Sequence, residues 1–402
     1  MRRVVITGAG TVNALAPDVQ GTFAAMAEGR CGIGPLDFPD VERLTIRIGA
    51  QVRDFAPETL FDKGKLSLYD RFTQFALVAA RQAMAQAGLS REPGDPTRWG
   101  AIIGTAGGGN ATVNEAYRAV YAEGKNRVHP FTVPRLMGNA AASHVSMEFG
   151  LMGPSFAVAT ACASSNHALG LAFQMIRSGM AEGMLAGGAE SMLNFGGLKA
   201  WEGLRVMSPD GCRPFAAGRN GMVQGEGAGI FVLESLASAQ ARGAEILAEI
   251  KGFAMTSDAS DIVMPSREGA ARAMRGALLD AGVAPASVGY VNAHGTGTAA
   301  NDKTEAAALG DIFGADLARL PVSSTKAMHG HCIGATGAIE LLACLLALNE
   351  GVIAPTLGFD AADPECPLDV VPHVARQARV ETVMTNAFAF GGLNAVLILS
   401  KI

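Results

Sequence analysis

The segment Val158-Ala159-Thr160-Ala161-Cys162-Ala163-Ser164-Ser165 sets one cysteine among small residues, where an apolar strand-like run gives way to a helical pattern. A thiol in that position faces the unpaired N–H groups of a helix start. This favours thiolate and is expected to move the pKa below the free value of about 8.5. Small neighbours leave room for a thioester carbonyl to approach the sulfur. A lone cysteine is more often an inert core residue, so the reading depends on partners arriving from elsewhere in the chain. Two histidines qualify. His294 lies in Val291-Asn292-Ala293-His294-Gly295-Thr296-Gly297-Thr298, directly after a strand-like run, at the kind of sheet edge where α/β proteins collect their active sites. His331 closes Ser323-Ser324-Thr325-Lys326-Ala327-Met328-His329-Gly330-His331 and leads into a second helical pattern. His129, His144, His167 and His373 lack such company and read as structural groups. A fourth segment, Asn386-Ala387-Phe388-Ala389-Phe390-Gly391-Gly392-Leu393-Asn394, is a glycine-rich turn whose backbone N–H groups can aim at a developing oxyanion. One such donor is worth about 3 kcal/mol of barrier.

These segments need elements to hold them. Strand-like runs at Arg3–Ile6, Gly100–Ile103, Gly229–Leu233, Val288–Asn292 and Val396–Leu399 alternate with helical patterns at Tyr69–Ala87, Ala270–Ala281 and Asp302–Phe313, an α/β order. Two further helical patterns, His167–Ser178 and Gly337–Glu350, carry small or apolar residues almost all round, as a helix buried on every side requires. Each starts from a loop with a reactive side chain and stops at a glycine. The chain therefore reads as two copies of one motif, 1–250 holding Cys162 and 251–402 holding His294, Lys326, His331 and Phe390.

Composition excludes several classes. With 49% hydrophobic and only 17% charged residues over 402 positions, most of the chain must be buried, and 50 glycines point to elements packed backbone to backbone. A net charge of -5 with no long Lys/Arg run argues against nucleic acid as a partner. The six cysteines form no C-x-x-C pair and no zinc-finger spacing, which suits a reduced cytoplasm. Arg2 and Arg3 precede an apolar stretch too short for a signal-peptide core, and no uninterrupted apolar run reaches spanning length, so neither export nor a membrane span is expected. No metal site is expected: the cluster of His329, His331 and Cys332 has no fourth ligand at suitable spacing. Gly8-Ala9-Gly10-Thr11-Val12-Asn13 lacks the third glycine of a dinucleotide fingerprint, and neither a P-loop lysine nor a G-x-S-x-G elbow is present.

Cys162 in T-A-C-A-S-S, His294 in N-A-H-G-T-G-T, Lys326 and His331 in S-S-T-K-x-x-x-G-H, and Phe390 in F-x-F-G-G together resemble the elongating β-ketoacyl-acyl carrier protein synthases, over essentially the whole chain. Through Lys199-Ala200-Trp201-Glu202 and Met328-His329-Gly330-His331-Cys332 the chain looks most like the nodulation protein E type. The resemblance implies a thiolase fold, two α/β halves stacked in five layers, and a homodimer or a heterodimer with a sister ketosynthase. It implies decarboxylative condensation of an acyl group on Cys162 with a malonyl thioester, lengthening the chain by two carbons. It also implies that the backbone N–H groups of Cys162 and Phe390 hold the oxyanion, that His294 and His331 stabilise the enolate, and that Lys326 pairs with Glu340. Thr296 and Thr298 would bind the phosphopantetheine arm, a group carried by the acyl carrier protein, so that the enzyme needs no cofactor of its own. Phe390, Gly391, Gly107 and Trp201 would line the substrate path.

Alternatives belong to the same frame or outside it. A non-catalytic partner subunit of a ketosynthase heterodimer, or a scaffold that only binds carrier protein, would not use the cysteine, whereas this chain keeps it. Glycine at 107, where relatives often carry a bulkier residue, predicts a roomier acyl pocket that tolerates long or unsaturated chains. His329 sets a second histidine beside the expected one, and the five-residue spacing from Lys326 favours His331 as the catalytic group. Lys63, Lys65, Lys125, Arg127 and Arg205 are candidate contacts for an acidic carrier protein.

Overall fold

The computed structural model describes residues 1–91 and 93–402. Ten strands form its main sheet system: β1 (Val4–Asn13), β2 (Trp99–Gly104), β3 (Ser155–Val158), β4 (Gly183–Glu190), β5 (Gly227–Ser235), β6 (Ala248–Ser257), β7 (Tyr290–Asn292), β8 (Val322–Ser323), β9 (Thr382–Ala389) and β10 (Leu393–Ser400). Their spatial order is β8-β7-β9-β10-β6-β1-β5-β4-β2-β3. Outward from the β1–β6 contact, both sets of five repeat one plan. β1-β5-β4-β2-β3 and β6-β10-β9-β7-β8 each begin with two antiparallel steps and end with two parallel ones. Only three residue pairs, Val4 to Ile6 against Ala248 to Ile250, join the sets edge to edge.

Every residue of β1, β2, β4 and β5 is buried, as continuous apolar and small-residue strands demand when both faces are covered. Helices supply the covers. α1 (Arg71–Gln86) and α2 (Ala140–Phe149) pack on the outer face of the first set through Phe72, Phe75, Ala79, Val145, Leu185 and Ile230. α4 (Arg267–Ala281) and α5 (Ala299–Phe313) cover the outer face of the second through Met274, Leu309, Val291, Met384 and Ile398. Between the sets lie α3 (Ser164–Arg177) and α6 (Thr336–Glu350), whose Leu169, Phe173, Leu341 and Leu345 share one core with Ile102, Phe231, Tyr290 and Leu397. The result is the five-layered αβαβα thiolase fold.

The glycine content has a local reason. On β1 a Cβ at Gly8 would lie 2.1 Å from the Ala83 carbonyl oxygen, and one at Gly10 would lie 1.9 Å from that of Ala79. Alanines on α1 and glycines on β1 thus bring helix and strand into backbone contact. The segment Ile333–Glu350 is long and apolar enough to cross a membrane, but 89% of it is buried inside the protein, where α6 forms part of the central layer.

Candidate active site

Both central helices begin the same way. A 3-10 turn, Ala161–Ala163 before α3 and Ile333–Ala335 before α6, is entered through a non-glycine residue at positive φ, Ala161 at 47° and Ile333 at 44°. That left-handed entry costs on the order of 1–3 kcal/mol each and aims the turns at each other across the middle layer. Cys162 sits on the first turn, 6% exposed, and His331 lies two residues before Ile333. His294 arrives from the loop after β7. Ligand atoms of Cys162, His294 and His331 all lie within 4.8 Å of one another, and the two imidazoles meet edge to face with centroids 5.5 Å apart.

Hydrogen bonds determine which nitrogen of each ring carries the proton. His331 Nδ1 accepts the Ile333 N–H at 3.1 Å and faces the Thr336 hydroxyl at 2.8 Å, leaving the ring proton on Nε2. His294 Nδ1 lies 3.4 Å from the Lys326 ammonium, which also donates to the His294 carbonyl. A nitrogen beside that donor is an acceptor, so this ring too carries its proton on Nε2. Burial, and after it the Lys326 charge, hold both histidines well below the ordinary imidazole range, so both are neutral at pH 7. Lys326 and Glu340 are fully buried and ion-paired, and burial raises the Glu340 carboxyl to about 7 against the pull of the ammonium.

The expected depression of the Cys162 pKa does not occur. Burial pushes the thiol up to about 11, and Lys326 together with the backbone N–H groups of Phe390 and of Cys162 itself recover only part of that cost. A helix start favours the anion, but removing the sulfur from water costs more here. Both N–H groups act on the thiol in the direction that favours the anion.

A cavity of about 110 Å³ opens over Cys162, lined by His294, His331, Thr296, Thr298, Trp201 and Phe390 among others. Trp201 and Phe390 stack with centroids 6.0 Å apart at its wall. The Thr296 and Thr298 hydroxyls meet at 2.8 Å. Gly391, at φ 82°, donates its N–H to the Ile262 carbonyl in the turn that carries Phe390. Gly107 stands apart: it does not line this cavity, and the room expected there is taken by Met192, whose sulfur would lie 2.8 Å from a Cβ at 107. His329 turns away from the cysteine, its two nitrogens facing the Gly330 carbonyl and the Thr325 hydroxyl, both at hydrogen-bond distance. Cys162, His294 and His331 are close enough to hold a metal ion, yet the Lys326 ammonium against His294 opposes a bound cation.

Several supporting residues escape motif reading. Glu305 accepts the N–H groups of His294 and Gly295, each at 2.8 Å, and Asp302 accepts those of Thr296 and Phe215. Both acids lie at the buried side of α5, directly after the Gly/Thr loop. Acidic residues in the first turns of a helix that follows such a loop are a readable signal. Glu190, at the end of β4, takes the N–H groups of Ala106, Gly107 and Gly334, and nothing in its immediate sequence announces this.

Residues 1–239 match the family described as "Beta-ketoacyl synthase, N-terminal domain", and residues 247–360 match "Beta-ketoacyl synthase, C-terminal domain". The chain is 47% identical to nodulation protein E of Rhizobium sp. (strain N33), each covered over 100% of its length. It is 41% identical to 3-oxoacyl-[acyl-carrier-protein] synthase 2 of Staphylococcus aureus (strain COL), over 100% of this chain and 98% of that one. Among solved structures, the ishigamide ketosynthase/chain length factor superposes with a TM-score of 0.96 at 37% identity, covering 100% of this chain and 99% of that chain.

Proposed function

This chain belongs to the β-ketoacyl synthase family, a family of acyltransferases that join acyl and malonyl thioesters by decarboxylative condensation, and we propose that Cys162, His294 and His331 carry that reaction here. The observation behind the proposal is the meeting of one thiol and two neutral, Nε2-protonated imidazoles within 4.8 Å, with two backbone N–H groups on the sulfur.

Cys162 attacks the carbonyl of an acyl thioester, and the negative charge that builds on the oxygen is held by the N–H groups of Cys162 and Phe390. The carrier thiolate leaves and takes the proton that the cysteine gives up. A malonyl thioester then enters along Thr296 and Thr298, whose hydroxyls contact the phosphopantetheine arm of a carrier protein. His294 and His331 donate from Nε2 to its thioester oxygen. As the bond to the carboxylate breaks and carbon dioxide departs, the electron pair moves into an enolate held by those two donors. The enolate carbon attacks the acyl-Cys carbonyl, the C–S bond breaks with its electron pair on Cys162, which takes up a proton from solvent, and a β-ketoacyl chain two carbons longer leaves. Neutral donors suit this task, because they stabilise the new charge without a cation that must first be desolvated. Lys326 and Glu340 act as positioning residues, setting the His294 tautomer from behind.

We further propose that the chain works as a dimer in the cytoplasm, its two motif copies dividing near residue 250. β3 is an edge strand, and the segment 117–133 exposes Tyr117, Tyr121, Phe131 and Val133, apolar surface that a second ketosynthase chain would cover. Lys63, Lys65, Lys125, Arg127 and Arg205 are all exposed and available to an acidic carrier.

Intact-mass analysis after incubation with acyl thioesters tests the reading. Addition of one acyl group, absent in Cys162→Ala, is the expected result. A chain that is never acylated under these conditions is instead a non-catalytic partner subunit.

A further inference from the structure

The two histidines are held by different means. Behind His294 stands the Lys326 ammonium, whereas the Nδ1 of His331 is met by backbone, the Ile333 N–H at 3.1 Å. Ile333 is a β-branched residue at φ 44°, an outlier for its type, and its side chain is buried in one cluster with Leu198, Met207 and Met222. Left to itself such a residue relaxes to negative φ, and its N–H then leaves the imidazole. The next N–H along the chain, that of Gly334, is bound by Glu190 Oε2 at 3.1 Å. The backbone angles of Ile333 fix how these two N–H groups point relative to each other, so a grip on Gly334 holds the strained turn in place. Glu190 is built to supply that grip. It ends β4, fully buried, and the Thr105 hydroxyl at 3.1 Å and the N–H groups of Ala106 at 2.7 Å and Gly107 at 3.2 Å anchor it to the loop after β2. The turn comes to it backbone first: a Cβ at Gly334 would lie 2.6 Å from the Ala106 nitrogen and 2.7 Å from Glu190 Oε2.

From this chain of contacts we infer that Glu190 is a positioning residue for His331, acting through the Gly334 N–H on the Ile333 turn to keep the imidazole proton on Nε2. Once the Ile333 N–H withdraws, Nδ1 is left with the Thr336 hydroxyl, which can donate or accept, and the tautomer is no longer set. Glu190 thus does for His331 what Lys326 does for His294, with an anion and a strained peptide in place of a cation.

The inference rests on the ketosynthase reading, in which His331 donates from Nε2 to the malonyl oxygen, and the experiment separates the two. Wild type, Glu190→Gln and Glu190→Asp are compared at pH 8, above the value of about 7 to which burial raises the native carboxyl. The readouts are malonyl thioester decarboxylation, acylation of Cys162, thermal melting, and nitrogen-15 spectra of histidine-labelled protein, with His331 assigned from its loss in His331→Asn. In Glu190→Gln, kcat for decarboxylation is expected to fall roughly tenfold at unchanged KM, as for a contact expressed in the transition state. The Nδ1–H tautomer of His331 should appear alongside. Acylation of Cys162 holds or quickens, because the Glu190 charge opposes the thiolate. Glu190→Asp keeps the charge, shortens the reach and falls between. Wild-type decarboxylation and a lone Nε2–H tautomer in whichever variant folds overturn the inference. So does an equal loss of acylation and decarboxylation, the mark of a merely structural role. A wild type that neither acylates nor decarboxylates overturns the ketosynthase reading instead, and the spectra still decide whether Glu190 sets the tautomer.

Discussion

Replacing Lys326 by methionine keeps the length of the side chain and removes one buried cation, which separates the proposed positioning role from mere packing. The ammonium makes three contacts: with Glu340, with the His294 carbonyl and with His294 Nδ1. Without it, nothing biases the His294 proton toward Nε2, the atom proposed to donate to the malonyl oxygen. Loss of one charge-assisted contact of this kind is worth about 1.5–3 kcal/mol, or roughly ten- to hundredfold in the rate of malonyl decarboxylation. Stability follows a different course. Stranding a buried charge ordinarily costs about 3–5 kcal/mol, but the Glu340 carboxyl is already raised to about 7, and removal of the ammonium raises it further, so that it takes up a proton instead. A carboxyl raised in the folded state above its unfolded value of about 4.3 loses stability as pH climbs between those two values. Wild type undergoes the same loss up to about 7, so the variant should run parallel to wild type between pH 5 and about 7 and fall behind it only above that value, toward pH 9. Carbon dioxide release from a malonyl thioester and urea melts across that pH range measure the two effects. Decarboxylation within twofold of wild type in a folded Lys326→Met protein would refute the tautomer argument.

Two further outcomes follow from the same geometry. Because burial holds the Cys162 thiol at about 11, alkylation by iodoacetamide should accelerate close to tenfold per pH unit between pH 7 and 10, where a depressed thiol would give a flat profile; stopped-flow or mass-resolved alkylation rates decide between them. In the central layer, a Cβ at Gly170 of α3 would stand 2.3 Å from the Phe253 ring, so Gly170→Ala should lower stability by about 1–3 kcal/mol despite alanine's better helix propensity, as read from denaturant unfolding.

Cys162, His294, His331, Lys326 and Phe390 were readable in the sequence because each sits in a short segment whose chemistry is local: a reactive side chain, small neighbours, and glycines where backbone must come close. The buried helices α3 and α6 were readable for a similar reason, since a helix apolar on all sides can only be interior. Strands β6 and β9 carried weaker signals. Lys251 interrupts the first, and both owe their place to sheet neighbours far away in sequence. Asp302 and Glu305 announced themselves only as acids near a helix start; what they clamp depends on the loop folding back over them.

What the sequence alone determined is the set of reactive groups and the kind of elements that carry them. What only the tertiary structure decided is their protonation, and who occupies the space between them. Desolvation of Cys162 and of both histidines sums over atoms from two halves of the chain, so no local window contains it, and a motif that suggests a thiolate folds into a buried thiol. The tautomer of His331 depends on Ile333 and Thr336 turning back over the ring. Glycine at 107 promised empty room, yet close packing does not leave such a space unfilled, and Met192, 85 positions along the chain, supplies the atoms.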